Sequence, residues 1–302
     1  MRRPGEPRRI RHHCGTVPEL PEVDALCSFL DARVRDRIVD AVQLLSIAAL
    51  KTYDPPLDAL RGASLSGSTR RGKFLALQAG GMFLVIHLAR AGWIRWREAI
   101  EMRPAKLGRG PMALRVRLDD GSGIEVTEQG TEKRLAIYVV RQLDDVPGIA
   151  TLGVDPLGAD FDVAALDRLL AGESGQLKHA LTDQRLIAGV GNAYSDEALH
   201  VARLSPFRRA SSLSDDEVVA LHGALQEVLR DAVQRSAGLP LTGLKSEKRS
   251  GLRVHGRTGE PCPVCGDTVR EVAFATRSLQ YCPTCQTGGR VLADRRLSRL
   301  LK

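Results

Sequence analysis

No stretch of the 302 residues approaches the ~20 consecutive apolar residues that a membrane-spanning helix needs. The best run, Met82–Leu88, has the length of a single strand, so a spanning helix is excluded. The first sixteen residues have no apolar centre of the kind a secretory signal requires. The six cysteines offer no disulfide framework. Cys14 stands alone near the N-terminus, Cys27 lies among apolar residues of a predicted helix and reads as a buried thiol, and the other four cluster near the C-terminus. That usage fits a reducing cytoplasm. No internal repeats are seen. What is present is an ordinary hydrophobic content of 43% on a chain long enough for about two domains, each with its own core. The net charge of +8 and the sequence pI of 9.4 suit a polyanionic partner or, equally, a well-solvated surface. Half of that charge comes from the first sixteen residues, where Arg2, Arg3, Arg8, Arg9 and Arg11 face only Glu6.

Apolar periodicity predicts a helix over Asp24–Arg35, with Ala25, Leu26, Phe29, Leu30 and Val34 on one stripe. Short apolar or alternating runs follow at Ile38–Leu45, Lys73–Gln78, Met82–Leu88, Met112–Leu118, Gly123–Thr127 and Leu135–Val140. Turn residues such as Gly80-Gly81 and Asp119-Asp120-Gly121 separate them, which points to a β-sandwich or barrel. From Asp162 the helical period takes over. Val163, Leu166, Leu169 and Leu170 form one face, and the capping box Ser214-Asp215-Asp216-Glu217 opens a long helix with Val218, Leu221, Leu225, Val228 and Leu229 inward. Gly238–Gly251 is polar and glycine-containing and reads as a mobile loop.

Cys262-Pro-Val-Cys265 and Cys282-Pro-Thr-Cys285 are paired knuckles with sixteen residues between them. The spacing fits a four-thiolate structural zinc site, with Thr268–Ala275 and Ser278–Tyr281 as a hairpin between the knuckles. All four positions are then protein ligands and none is left for a catalytic water. Two separate redox dithiols are the weaker reading. Arg277 falls at the hairpin turn, where an arginine is ordinarily solvated but can also reach a phosphate.

Four separated motifs remain: Pro18-Glu19-Leu20-Pro21-Glu22-Val23; Arg71-Gly72-Lys73-Phe74-Leu75; Gly189-Val190-Gly191-Asn192-Ala193-Tyr194 with Glu197; and Gly256-Arg257-Thr258-Gly259-Glu260-Pro261-Cys262. With them the chain resembles the bacterial formamidopyrimidine-DNA glycosylase and endonuclease VIII family over nearly all of Pro18–Cys285, as a divergent branch. The resemblance implies an α+β multidomain fold: an N-terminal β-sandwich catalytic domain (18–148), a helix–two-turn–helix DNA-binding domain (149–252), a zinc-ribbon finger (253–287) and a basic tail (288–302). Residues 1–17 are expected to be a disordered or mis-called extension. Val17 supports this, because valine codons of the GTG type serve as initiators, and loss of the initiating residue would expose Pro18.

The implied reaction is excision of an oxidised base from double-stranded DNA, followed by strand cleavage at the abasic site, in a cytoplasmic, nucleoid-associated monomer with one structural Zn2+. Within a chain a proline nitrogen is a tertiary amide with no N–H. At a terminus it is a secondary amine, and an α-amine has a reference pKa near about 8, so a useful fraction is neutral. Pro18 would attack C1′, expel the base and form an iminium that acidifies C2′, leading to β-elimination, with δ-elimination left open. Glu19 is placed to shuttle protons to the sugar ring oxygen; read by itself, it is a helix N-terminal charge ahead of Asp24. Glu22 and Glu197 support the site. Lys73, Asn192 and Arg277 match the family's clamp on the backbone of a duplex with a flipped base.

The chain departs from the family where the void left by the flipped base is filled. His87-Leu88-Ala89 is followed by Arg90 rather than methionine, and the later loop offers Arg134 and Leu135 where arginine and phenylalanine stand. Leu135 is expected as an apolar wedge. The segment 238–254 looks short for a lesion-capping loop, which favours formamidopyrimidines, oxidised pyrimidines or bare abasic sites over 8-oxoguanine. The alternatives are a non-catalytic damaged-DNA or abasic-site binding protein that keeps Pro18 in an amide, and a transcription-type zinc-ribbon protein.

Overall fold

The computed structural model describes residues 17–104, 107–108, 110–129, 132–274 and 277–293. The expected N-terminal extension, Val17 excepted, and most of the basic tail lie outside the described residues.

Helix α1 spans Leu20–Val34, starting four residues before the predicted Asp24. Its start is fixed by polar groups: the Glu19 N–H donates to Glu22 Oε2 at 2.8 Å, and Pro21 sits in the first turn, where a missing N–H is harmless. Leu20, Val23, Leu26, Leu30 and Val34 form its buried face.

Among the described residues eight antiparallel strands follow in two sheets. They are β1 (Val39–Leu44), β2 (Leu65–Arg71), β3 (Phe74–Ala79), β4 (Met82–His87), β5 (Gly92–Arg97), β6 (Met112–Leu118), β7 (Gly123–Glu128) and β8 (Ala136–Val140). One sheet has the order β1-β6-β7-β5, the other β2-β3-β4-β8. The period of two is explicit in β3 and β4. Leu75, Leu77, Leu84 and Ile86 face the core between the sheets, where Leu114, Val116, Ile124 and Val126 meet them. Ala76 and Val85 face outward, and Val146 and Ile149 of the following segment cover them. Burial on both faces explains why Met82–Leu88 reads as a continuous apolar run. The two strands that the apolar runs did not predict, β2 and β5, are both sheet edges. Helix α1 covers the open edge of β2: the Ser68 N–H donates to Asp31 Oδ1 at 2.8 Å and Ser68 Oγ to the Cys27 carbonyl at 2.7 Å.

The rest of the chain is helical, with α2 (Pro147–Ala150), α3 (Val163–Ala171), α4 (Leu177–Thr182), α5 (Asn192–Val201), α6 (Asp215–Ser236) and α7 (Leu244–Gly251). The expected capping box is present at Ser214 and Glu217, and the expected inward face of α6 is buried. The mobile-loop reading of 238–251 is corrected: the segment holds α7. Leu244 is fully buried in the sandwich core and Lys248, one turn later, is 3% exposed, so both anchor the same helix face. Strands β9 (Arg270–Ala273) and β10 (Ser278–Tyr281) make the C-terminal hairpin, followed by α8 (Pro283–Thr287). Among the described residues no helix is long and apolar enough to cross a membrane.

Candidate active site and nucleic-acid interface

The strap Pro18-Glu19-Leu20 lies against the turn that opens α5. The Leu20 N–H donates to the Gly189 carbonyl at 3.0 Å. The Glu19 carboxylate then sits on the helix N-terminus, accepting from the N–H groups of Gly191 (2.8 Å), Ala193 (2.9 Å) and Tyr194 (3.3 Å). Unpaired N–H groups and the helix dipole make that position favourable for an anion. Only glycine permits the approach, because a Cβ at position 191 would lie 2.7 Å from Glu19 Oε2. Burial pushes the Glu19 carboxyl upward, but Lys248, Lys73 and the Ala193 N–H outweigh it and hold the group at about 2. Glu19 is therefore ionised.

Glu22 lies directly beneath. It accepts from Tyr194 Oη at 2.6 Å and from Lys248 Nζ at 2.7 Å. Lys248 also donates to the Val17 carbonyl at 2.9 Å and stands 3.7 Å from Glu19 Oε1. Lys73 is carried into the same charge cluster by the β2–β3 hairpin, whose turn needs Gly72 at φ +54°. Burial pulls the Lys73 ammonium below the usual lysine range, against the pull of Glu19. Pro18 itself is buried, its nitrogen in amide linkage to Val17.

Asn192 and Arg277 meet at the zinc-ribbon hairpin. Asn192 Nδ2 donates to the Ser278 carbonyl at 2.7 Å, and the exposed Arg277 places Nη2 2.6 Å from His179 Nε2 on α4. Burial, then Arg277, keeps His179 below its ordinary value, consistent with an acceptor ring nitrogen. Lys178 is buried under Asn192 and donates to its carbonyl, to Ser195 Oγ and to Asp196 Oδ1. Glu197 accepts from the backbone N–H groups of Arg253, Val254 and His255, so it ties α5 to the segment that leads into the finger.

The four cysteine Sγ atoms of 262, 265, 282 and 285 lie within 4.8 Å of one another. A tetrahedral site with Zn–S of about 2.3 Å needs sulfurs about 3.8 Å apart. The 3.9 Å and 3.3 Å separations of Cys262–Cys285 and Cys265–Cys282 fit that donor set.

One expected site residue is overturned. Leu135 is 1% exposed and belongs to the sandwich core, so it is no wedge. The cause is Glu128, a buried carboxylate whose Oε1 accepts from the N–H groups of both Arg134 and Leu135 and turns the leucine inward. Arg134 stays exposed beside Glu132, and Arg90 is exposed in the adjacent β4–β5 turn. Sequence reasoning also missed Lys178 and Lys248. A lysine in a polar segment carries no mark of burial; only its buried carboxylate partners identify it.

Comparison with known proteins matches this arrangement. Family models described as the formamidopyrimidine-DNA glycosylase N-terminal domain, its H2TH domain and the zinc finger found in FPG and IleRS match residues 17–133, 152–241 and 259–288. The formamidopyrimidine-DNA glycosylase of Symbiobacterium thermophilum is 37% identical over 277 residues, covering 89% of each chain. The chain belongs to the formamidopyrimidine-DNA glycosylase family. Among solved structures of this family, MutM (Fpg) of Thermus thermophilus is 34% identical with a TM-score of 0.75, covering 89% of this chain and 98% of its own. Lactococcus lactis Fpg, solved in complex with DNA containing an abasic site, is 26% identical with a TM-score of 0.78, covering 89% and 99%. The family fold of β-sandwich, helical domain and four-cysteine zinc finger is that of this chain.

Proposed function

We propose that this protein is a DNA glycosylase of base-excision repair and an abasic-site lyase, working as a monomer on double-stranded DNA in the cytoplasm through the amine of a terminal Pro18. One observation carries this reading: an ionised, buried Glu19 follows Pro18 directly and is locked onto the α5 N-terminus beside Lys73. In the reaction the Pro18 nitrogen bonds to C1′ as the glycosidic bond breaks, and its electrons leave with the base. Glu19 takes the proton of the attacking amine and returns it to the ring oxygen. The C1′–O bond opens and the nitrogen lone pair completes the iminium. Loss of a C2′ proton then expels the 3′ phosphate. Lys73, Asn192 and Arg277 bind the backbone phosphates, Arg90 and Arg134 lie toward the displaced-base void, and Glu22 and Glu197 hold the frame. A zinc ion held by Cys262, Cys265, Cys282 and Cys285 supplies structural cross-linking of the finger.

The test is borohydride trapping on duplex DNA with an abasic site, using protein whose Pro18 terminus is verified by intact mass. A covalent adduct is expected, and replacing Pro18 abolishes it. No adduct from that preparation refutes the reading. The same preparation tests a second reading: native protein that keeps residues before Pro18 and binds abasic DNA without an adduct is a damage-binding protein.

A further inference from the structure

Lys248 belongs to none of the chemistry above, yet its side chain is only 2% exposed and reaches every acidic group around Pro18. Its Nζ is 2.7 Å from Glu22 Oε2, 3.7 Å from Glu19 Oε1, 2.9 Å from the Val17 carbonyl oxygen and 4.7 Å above the Tyr194 ring. A carbonyl oxygen lies roughly 2.3 Å from the nitrogen of the next residue by fixed amide geometry, so the ammonium is within about 5 Å of the Pro18 nitrogen. It is held there by α7, whose Leu244 is plugged into the sandwich core one turn earlier. In a chain that starts at Pro18 the Val17 carbonyl is absent, and the ammonium faces the amine directly.

The groups around that nitrogen come from several elements. Glu19, the residue that caps α1, and Glu22 within it favour the protonated amine; Lys248 of α7 and Lys73 of the β2–β3 hairpin oppose it. Tyr194 of α5 is tied to Glu22, while Lys178 of α4 and His255 act more remotely through Lys73 and Glu19. Two carboxylates beside an amine would keep it charged and unreactive without a countercharge.

We propose that Lys248 is a positioning residue for the nucleophile, compensating Glu19 and Glu22 so that the Pro18 nitrogen stays neutral and able to attack. This rests on the reading of Pro18 as the nucleophile. A unit charge at about 5 Å in a partly screened site shifts a proton equilibrium by roughly tenfold or more.

The experiment is single-turnover borohydride trapping on abasic duplex over a pH series of roughly 6 to 9, around the α-amine range. It compares protein starting at Pro18 with Lys248→Met, Lys248→Arg, Glu22→Gln and the Glu22→Gln/Lys248→Met double variant. Lys248→Met is expected to move the acid limb up by about one pH unit or more, with trapping recovered at high pH. Glu22→Gln moves the limb down, the double variant returns toward wild type, and Lys248→Arg leaves it in place. A uniform loss at every pH with an unmoved midpoint in Lys248→Met overturns the proposal. Where that variant does not fold, an unmoved midpoint in Glu22→Gln overturns it instead. Absence of any adduct from the unsubstituted protein refutes Pro18 as nucleophile, and the assignment of Lys248 falls with it.

Discussion

Replacing Gly191 with alanine is expected to evict the Glu19 carboxylate from the N-terminus of α5. The added methyl would lie 2.7 Å from Oε2 and 2.8 Å from Cγ of Glu19, with the carboxyl carbon nearer still. Non-bonded carbon atoms prefer about 3.5–4.0 Å, so the side chain must withdraw by about an ångström. The hydrogen bonds from Gly191 and Ala193 at 2.8 and 2.9 Å do not survive that shift. Hydrogen bonds to a charged acceptor contribute about 1.5–3 kcal/mol each, which places the loss at about 3–6 kcal/mol. The ionised form is also held by charge, chiefly that of Lys248 and Lys73, with the Ala193 N–H after them. Lowering the Glu19 carboxyl from its ordinary 4.5 to about 2 corresponds to about 3 kcal/mol of preference for the ionised form. Because the folded value lies below the unfolded one, this stabilisation is complete above about 4.5 and disappears as pH falls through about 2. The variant is therefore expected to melt roughly 5–10 °C lower at neutral pH and to lose that part of the wild-type acid dependence. Trapping on abasic DNA should fall about 100-fold, the usual consequence of a 1 Å displacement of a reacting group. The decisive control is the Glu19→Ala background, where the partner of the clash is gone and Gly191→Ala should be nearly silent. A wild-type melt and trapping rate in Gly191→Ala, or a full penalty that persists without Glu19, refutes the reasoning.

Three further outcomes are expected. Stripping metal from the cysteine quartet with a chelator should release zinc to a colorimetric dye, abolish protection of the β9–β10 amides in hydrogen exchange and weaken abasic-DNA binding in a gel shift, while the α6 amides stay protected. Burial holds the His87 imidazole at about 4, so it stays neutral in the fold; the associated stability is full above about 6.5 and is lost as pH falls toward 4, and His87→Gln should flatten the melting temperature over that interval. Leu135→Ala should lower stability by about 2–4 kcal/mol in denaturant unfolding, as a core truncation does, and leave the opposite-base preference on lesion duplexes unchanged.

The elements legible in the sequence were those whose apolar residues face one way. The inward face of α6, with its Ser214 cap, and strands β4 and β6 follow directly from spacing. The edge strands β2 and β5 carry Ser68, Thr69, Arg70, Arg95 and Arg97, and their pairing is set by one neighbour and, for β2, by α1, neither of which is local. Helix α7 was illegible for a related reason. Its sequence LKSEKRSG has one apolar side chain longer than alanine, and what fixes it is a long-range ion pair between Lys248 and Glu22. In the site, Pro18, Glu19, Lys73 and the cysteines were visible because each belongs to a compact local motif. Leu135 was misread because its direction depends on Glu128, seven residues earlier in the chain.

The carboxylates of α1 bear on how the two lobes are joined. Glu19 is held by the backbone of α5, Glu22 by Tyr194 of α5 and Lys248 of α7, and Arg70 of the sandwich bridges Asp24 to Asp155 at the start of the helical half. A buried ion pair is weak evidence of net stability, since desolvation offsets most of the Coulomb gain, whereas removing one partner costs about 3–5 kcal/mol. Such a network is therefore better understood as a condition on geometry: an apolar interface could join the lobes as firmly, but it would tolerate sliding, while three backbone N–H groups on one carboxylate do not. The strap bearing Pro18 has no catalytic environment of its own within the sandwich. On the reading proposed for Pro18, Glu19 is held ionised and the nucleophilic nitrogen is flanked by compensating charge only when α5 and α7 are docked. On that reading, damage in the core beneath α5 or at the foot of α7 should reach the chemistry through Glu19 before it reaches the affinity for DNA.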